Sequence, residues 1–129
     1  MKKGSSPVNI LIVEDEALIA MDLRLTVESM GFKALGTAFS GEESLRKVES
    51  LHPDLVLMDI KLRGDMDGVT AAQEIYARFG VPVIYLSAYT DDQTIRRTRG
   101  RGSCGCLPKP FEPVDLRNAI ARCSQARAM

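Results

Sequence analysis

The stretch that decides the fold is Val8-Asn9-Ile10-Leu11-Ile12-Val13-Glu14-Asp15-Glu16, an apolar, β-branched run that stops abruptly in three acidic residues. A short, nearly continuous run of this kind reads as a strand buried on both faces, as in a parallel sheet covered by helices. Two further runs read the same way. Leu55-Val56-Leu57-Met58 ends at Asp59, and Val81-Pro82-Val83-Ile84-Tyr85-Leu86 ends at Ser87. Cys104-Gly105-Cys106-Leu107 is weaker, and Lys33–Ala38 is a poorer fifth.

The segments between these runs carry helix signals. Asp15–Met30 places Leu18, Met21 and Leu25 at i, i+3, i+7, which predicts one apolar face, and Gly31 fits a C-terminal stop. Ser40-Gly-Glu-Glu43 has capping-box spacing and opens a segment with Leu45 and Val48. Val69–Phe79 follows Asp67-Gly68 and ends at Gly80. Thr90-Asp-Asp-Gln93 is a second capping-box pattern, opening a short arginine-rich helix. Glu112-Pro113 sets proline at a helix start, and Leu116, Ala119, Ile120 and Cys123 follow on one face. The order is strand then helix, five times over. It predicts an α/β fold with a doubly wound parallel sheet, helices on both faces and right-handed crossovers. One domain is expected over 7–123, with flexible termini at 1–6 and 124–129.

Composition supports one globular unit. The 129 residues are 45% hydrophobic and 26% charged, and the formal net charge is zero. Charge is uneven along the chain: residues 1–93 sum to −6 and residues 94–129 to +6. The basic excess includes Arg96, Arg97, Arg99 and Arg101. It suits a solvated helix face or a docking surface for an acidic partner. Direct binding of nucleic acid is not expected, because no aromatic residues are interleaved. Neither a bilayer-spanning run nor a secretory leader is visible, so a cytoplasmic location is expected. Cys104, Cys106 and Cys123 are an odd count, read as free thiols in a reducing compartment. The C-x-C spacing lacks the further ligands that zinc needs. His52, the only histidine, is placed on a helix-to-strand loop before Pro53.

Chemistry concentrates at one end of the strands. Glu14, Asp15 and Glu16 follow the first, Asp59 closes the third, Ser87 the fourth, and Lys109 follows the fifth. In an open α/β sheet ligands bind at that edge. Carboxylates brought together repel one another, so a cation is the natural occupant, and hard oxygen ligands suit Mg²⁺. A lysine and a serine hydroxyl suit a phosphoryl group. A carboxylate can act as the nucleophile and form an aspartyl phosphate. Taken singly, each residue has a plainer reading as an acidic helix start, a cap, a turn or a surface charge.

The segments Ile10–Glu16, Pro53–Asp59, Met66-Asp-Gly68, Val83–Ala88 and Lys109-Pro-Phe111 together resemble a response-regulator receiver domain of two-component signalling. The resemblance covers about Pro7–Cys123. It implies five strands in the flavodoxin-like order 2-1-3-4-5. It implies Asp59 as acceptor of a phosphoryl group from a sensor histidine kinase or phosphotransfer protein. Mg²⁺ (or Mn²⁺) would be held by Glu14, Asp15, Asp59 and the backbone carbonyl of Lys61. Ser87 and Lys109 would contact the phosphoryl group, with a cis peptide at Lys109-Pro110. A downstream partner would bind the face formed by the fourth helix, fifth strand and fifth helix, and a homodimer through that face stays open. The protein would not be a conventional enzyme, only one that phosphorylates and dephosphorylates itself. The segment Lys61–Gly68 is similar to that of receivers associated with sensor and PAS-containing hybrid kinases.

Two departures matter. Where the family often carries a switching Tyr or Phe, this chain has Cys106, so Tyr85 or Tyr89 is expected to take part of that role. Tyr89, two residues beyond Ser87, is also expected to shield the acyl phosphate from water. A degenerate receiver acting only as an interaction scaffold is the main alternative. A dehalogenase-type hydrolase would need an aspartate where Lys61 stands, and a nucleotide site on the first loop would have its phosphate facing Glu14-Asp15-Glu16. No effector domain fits after Arg122, so the chain reads as a lone regulator, a relay shuttle or an excised receiver.

Overall fold

The computed structural model describes residues 8–88 and 91–128, with side chains as far as Ser124. Strands and helices alternate without exception: β1 (Asn9–Val13), α1 (Ala17–Ser29), β2 (Lys33–Ala38), α2 (Gly41–Leu51), β3 (Leu55–Asp59), α3 (Gly68–Phe79), β4 (Val83–Ser87), α4 (Asp92–Arg97), β5 (Ser103–Pro108) and α5 (Pro113–Ala128). All neighbouring strands pair in parallel, in the order β2-β1-β3-β4-β5. The doubly wound sheet and the flavodoxin-like order are therefore as expected. Order reverses between β1 and β3, which opens the crevice where such sheets bind ligands.

The two-residue period of a strand splits the core into two layers. Ile10, Ile12, Leu55, Leu57, Ile84 and Leu86 pack with Leu23, Val27, Leu116 and Ile120 from α1 and α5. Leu11, Val13, Val56, Met58, Val83 and Tyr85 pack on the opposite face with Val48, Ala72 and Ile75 from α2 and α3. Each fully buried aliphatic side chain contributes roughly 1.5–3 kcal/mol, so β1, β3 and β4 anchor the scaffold.

Helix ends follow local chemistry. Ser40 caps α2 by accepting from the Glu43 amide at 3.0 Å, while the Glu43 carboxylate accepts from the Phe39 amide at 2.7 Å. Asp67 caps α3 through the Thr70 amide at 2.9 Å, and Gly80 closes it in the left-handed region. His52 ends α2 in the same region, on the loop before Pro53. The cap of α4 is Asp91, which accepts from the Thr94 amide at 3.0 Å, one residue later than the capping-box reading placed it.

Two expectations are corrected. On α1 the buried stripe is Ala20, Leu23 and Val27, whereas Leu18, Met21 and Leu25 face outward at 80%, 58% and 62% exposure. The helix carries two apolar stripes, and strand packing selects the smaller-sided one. The cysteines are not all free: Cys104 and Cys123 are joined, tying β5 to α5, and only Cys106 is a thiol. A register shift between β4 and β5 includes Gly105 at φ +106° and sends Cys104 and Cys106 into opposite layers. The helix α5 continues to Ala128. Residues 1–6 and Tyr89 lie outside the described residues. Among the described residues no helix is long and apolar enough to cross a membrane.

Candidate phosphoacceptor site

Strand register delivers the polar residues to one edge. Val13 is level with Met58, Asp59 with Leu86, and Ser87 with Pro108, so the next residues of β1 and β5 emerge beside Asp59 and Ser87. Backbone hydrogen bonds lock the strand ends. The Glu14 amide donates to the Ala38 carbonyl at 3.0 Å, the Ile60 amide to Leu86 at 3.2 Å, and the Lys109 amide to Ser87 at 2.8 Å. Lys109-Pro110 is cis, as the resemblance implied.

The loop after Asp59 is held just as closely. The Gly68 amide donates to the Ile60 carbonyl at 2.8 Å. A Cβ built at Gly68 would lie 2.1 Å from the Asp59 carbonyl oxygen and 2.8 Å from the Ile60 Cα. Only glycine permits that approach of backbone to backbone. The start of α3 is thereby pressed against the strand end that carries Asp59.

A cavity of about 240 Å³ lies over this edge, lined by Glu14, Asp15, Asp59, Lys61, Ser87 and Lys109 among others. Glu14, Asp59 and Ser87 are almost wholly buried. One oxygen from each of Glu14, Asp15 and Asp59 lies within 4.8 Å of the other two. The Lys109 ammonium sits between carboxylates, 3.3 Å from Glu14 Oε1 and 3.6 Å from Asp59 Oδ1. The other Glu14 oxygen accepts from the Glu16 amide at 3.0 Å. Asp15 is held from outside the chain segment, its Oδ2 accepting from the Arg63 amide at 3.1 Å with the Arg63 guanidinium 3.5 Å away.

Burial pushes the carboxyls of both Glu14 and Asp59 above their ordinary range; Lys109 opposes the shift at each, and each also meets a neighbouring carboxylate. The Lys109 ammonium serves Glu14 and Asp59 while Arg63 pairs with Asp15, so two cations face three carboxylates and the site is one positive charge short. That imbalance, with oxygen donors on rigid strand ends, fits a hard divalent cation.

The sequence reading placed every one of Glu14, Asp15, Asp59, Lys61, Ser87 and Lys109 at the site, and all six line the cavity. Three contributors were given no role. Arg63 orients Asp15, Ile19 forms an apolar rim from α1, and Ala88 follows Ser87 at the wall. Nothing in a pattern of residues signals Arg63, whose contact crosses 48 positions.

Residues 10–121 match the profile of the response regulator receiver domain. Among curated relatives, the transcriptional regulatory protein PdtaR of Mycobacterium tuberculosis is 40% identical over 88% of this chain and 55% of its own length. The phyllosphere-induced regulator PhyR of Methylorubrum extorquens is 36% identical over 88% of this chain and 42% of its own. This chain thus spans about half the length of the curated relatives it matches. Among solved structures, the signal receiver domain of a modulated diguanylate cyclase from Desulfovibrio desulfuricans superposes with a TM-score of 0.88 at 34% identity, covering 95% of this chain and 98% of that one. The CheX–CheY–BeF3–Mg²⁺ complex from Borrelia burgdorferi gives 0.82 at 28% identity, covering 88% and 87%.

Proposed function

Because the chain belongs to the response regulator receiver family, we propose that it is a phosphoacceptor switch in which Asp59 receives a phosphoryl group from a phosphohistidine. The observation that carries this reading is the convergence of Glu14, Asp15, Asp59 and Lys109 on one buried edge, with Ser87 beside them. The Asp59 carboxylate attacks phosphorus in line, an O–P bond forms, and the donor's P–N bond breaks with the electron pair leaving on imidazole. The chain itself supplies positioning and charge, which is what phosphoryl transfer requires.

Lys109 already stands within ion-pair reach of Asp59 and offsets charge on the entering group. Ser87, at the neighbouring strand end, offers a hydroxyl to a phosphoryl oxygen. Glu14, Asp15, Asp59 and the Lys61 carbonyl would hold Mg²⁺, which when bound neutralises carboxylate and phosphoryl charge together. The presence of Mg²⁺ in the solved CheX–CheY complex supports the choice of ion. A cytoplasmic setting accompanies such a switch.

Partners follow from two surfaces. The outward stripe Leu18, Met21 and Leu25 runs along α1 from the cavity rim at Ile19, and suits the apolar face of a histidine-bearing donor protein. The face of α4, β5 and α5, rich in arginine, suits a downstream target with acidic groups. Intact mass after incubation with acetyl phosphate tests the chemistry. One phosphoryl group is expected with Mg²⁺, and none without it or in Asp59→Asn. Equal gain in Asp59→Asn would overturn the assignment of the acceptor.

A further inference from the structure

A second concavity, of about 410 Å³, lies between α3 and the turn that joins α4 to β5. It shares no residue with the Asp59 cavity. Its chemistry comes from Gln73 and Tyr76 on α3, Tyr85 on β4, and Arg99, Arg101 and Ser103. The turn is pressed hard against α3. At Gly102 (φ +83°) a Cβ would lie 2.3 Å from Cγ of Tyr76, so a side chain there would drive the turn and the ring apart.

Positive charge in this groove is unspent. Arg97 is paired with Asp67 outside it. Among the described residues, Arg99 and Arg101 have no carboxylate partner, and the Arg101 guanidinium lies 5.8 Å from the centroid of the Tyr76 ring. The Tyr85 hydroxyl is protonated at neutral pH, as an ordinary phenol is, and burial together with the nearby Asp67 carboxylate pushes it up to about 12. Two guanidiniums, a phenol and an amide are a donor-rich set for phosphate, and the Arg101–Tyr76 pair offers a flat surface to a planar ring. The volume suits a small molecule rather than an extended peptide.

We propose that this groove binds a nucleotide-sized ligand, its phosphate held by Arg99 and Arg101 and its ring stacked against the Arg101–Tyr76 pair. The test is an NMR titration of the full chain with adenosine monophosphate, without divalent cations, beside adenosine alone, inorganic phosphate and a tetraglutamate peptide. Saturable shifts at Tyr76, Gly102 and Ser103, with Kd below about 1 mM and binding at least about tenfold tighter than either fragment, are expected. The double variant Arg99→Gln/Arg101→Gln should weaken it by about tenfold or more while distant resonances stay put. Non-saturating shifts, shifts centred on Asp59, or unchanged binding by the double variant would overturn the site. Tighter binding of tetraglutamate would overturn the ligand class and make the groove a seat for an acidic protein segment.

Discussion

Gly68 has no room for one more carbon. A methyl there would meet the Asp59 carbonyl and the Ile60 Cα at once, and neither is a flexible side chain that can move aside. Gly68→Ala should therefore destabilise the fold by about 2–4 kcal/mol, read from urea unfolding, and slow phosphorylation of whatever remains folded. A loss under about 0.5 kcal/mol would show that the loop after Asp59 yields. Glu14, Asp15, Asp59, Ser87 and Lys109 were legible in sequence because they sit at or just past the end of an apolar run, and chain order alone puts those ends on one edge; Lys61 came only from the family resemblance. Arg63 was not legible, since its hold on Asp15 depends on how the loop folds back. Cys106 presents the reverse case. The departure from an aromatic is plain in the sequence, and in the structure the thiol is half-buried beside Tyr85, with burial raising its pKa.

At the scale of elements, periodicity gives the type of an element more surely than its orientation. Two stripes on α1 have the same spacing, Leu18/Met21/Leu25 and Ala20/Leu23/Val27, and only the fit to β1 and β2 decides which turns inward. The bulkier stripe was the wrong choice: Ala20, Leu23 and Val27 are the ones that pack in the layer with Ile10, Ile12 and Ala34. Replacing Leu18, Met21 and Leu25 by Gln should leave stability within about 0.5 kcal/mol per site. The triple variant should accept phosphate from acetyl phosphate normally and from a histidine donor protein poorly. Equal transfer from both donors would remove α1 from the docking face. The start of α2 offers a pH test. The backbone bond from Phe39 holds the Glu43 carboxyl below its ordinary value of 4.5. Its contribution is thus present above that value and lost as pH falls through the lower, folded-state value. Ser40→Ala should cost about 1 kcal/mol at neutral pH, and Glu43→Gln should flatten the acid limb of a stability-versus-pH curve. An acid limb unchanged in Glu43→Gln would contradict this.

Across the whole molecule, one covalent link stands out. Cys104–Cys123 closes a span of 19 residues and fastens α5 to β5, within the face proposed to meet a downstream partner. An odd cysteine count argued for free thiols, yet parity says nothing about two of three that fold together. The register shift at Gly105, invisible to a C-x-C pattern, is what parts Cys104 from Cys106. Reduction should lower stability by about 3 kcal/mol, seen as a lower urea midpoint in dithiothreitol. A midpoint that does not move, in a sample shown by thiol counting to have been oxidised, would contradict that contribution. The three central strands were plainly readable, because strands buried on both faces leave almost uninterrupted apolar runs, whereas the partly exposed edge strands β2 and β5 gave weaker ones.

The proposed switch rests on transfer of the phosphoryl group to Asp59. Borohydride reduction of the acyl phosphate, followed by proteolysis and tandem mass spectrometry, locates it directly. Homoserine at position 59, formed only after incubation with both a phosphodonor and Mg²⁺, is the predicted result. Homoserine at position 15, the longer alcohol 2-amino-5-hydroxyvaleric acid at position 14, or no reduced residue at all, in a folded protein that has gained phosphoryl mass would contradict it.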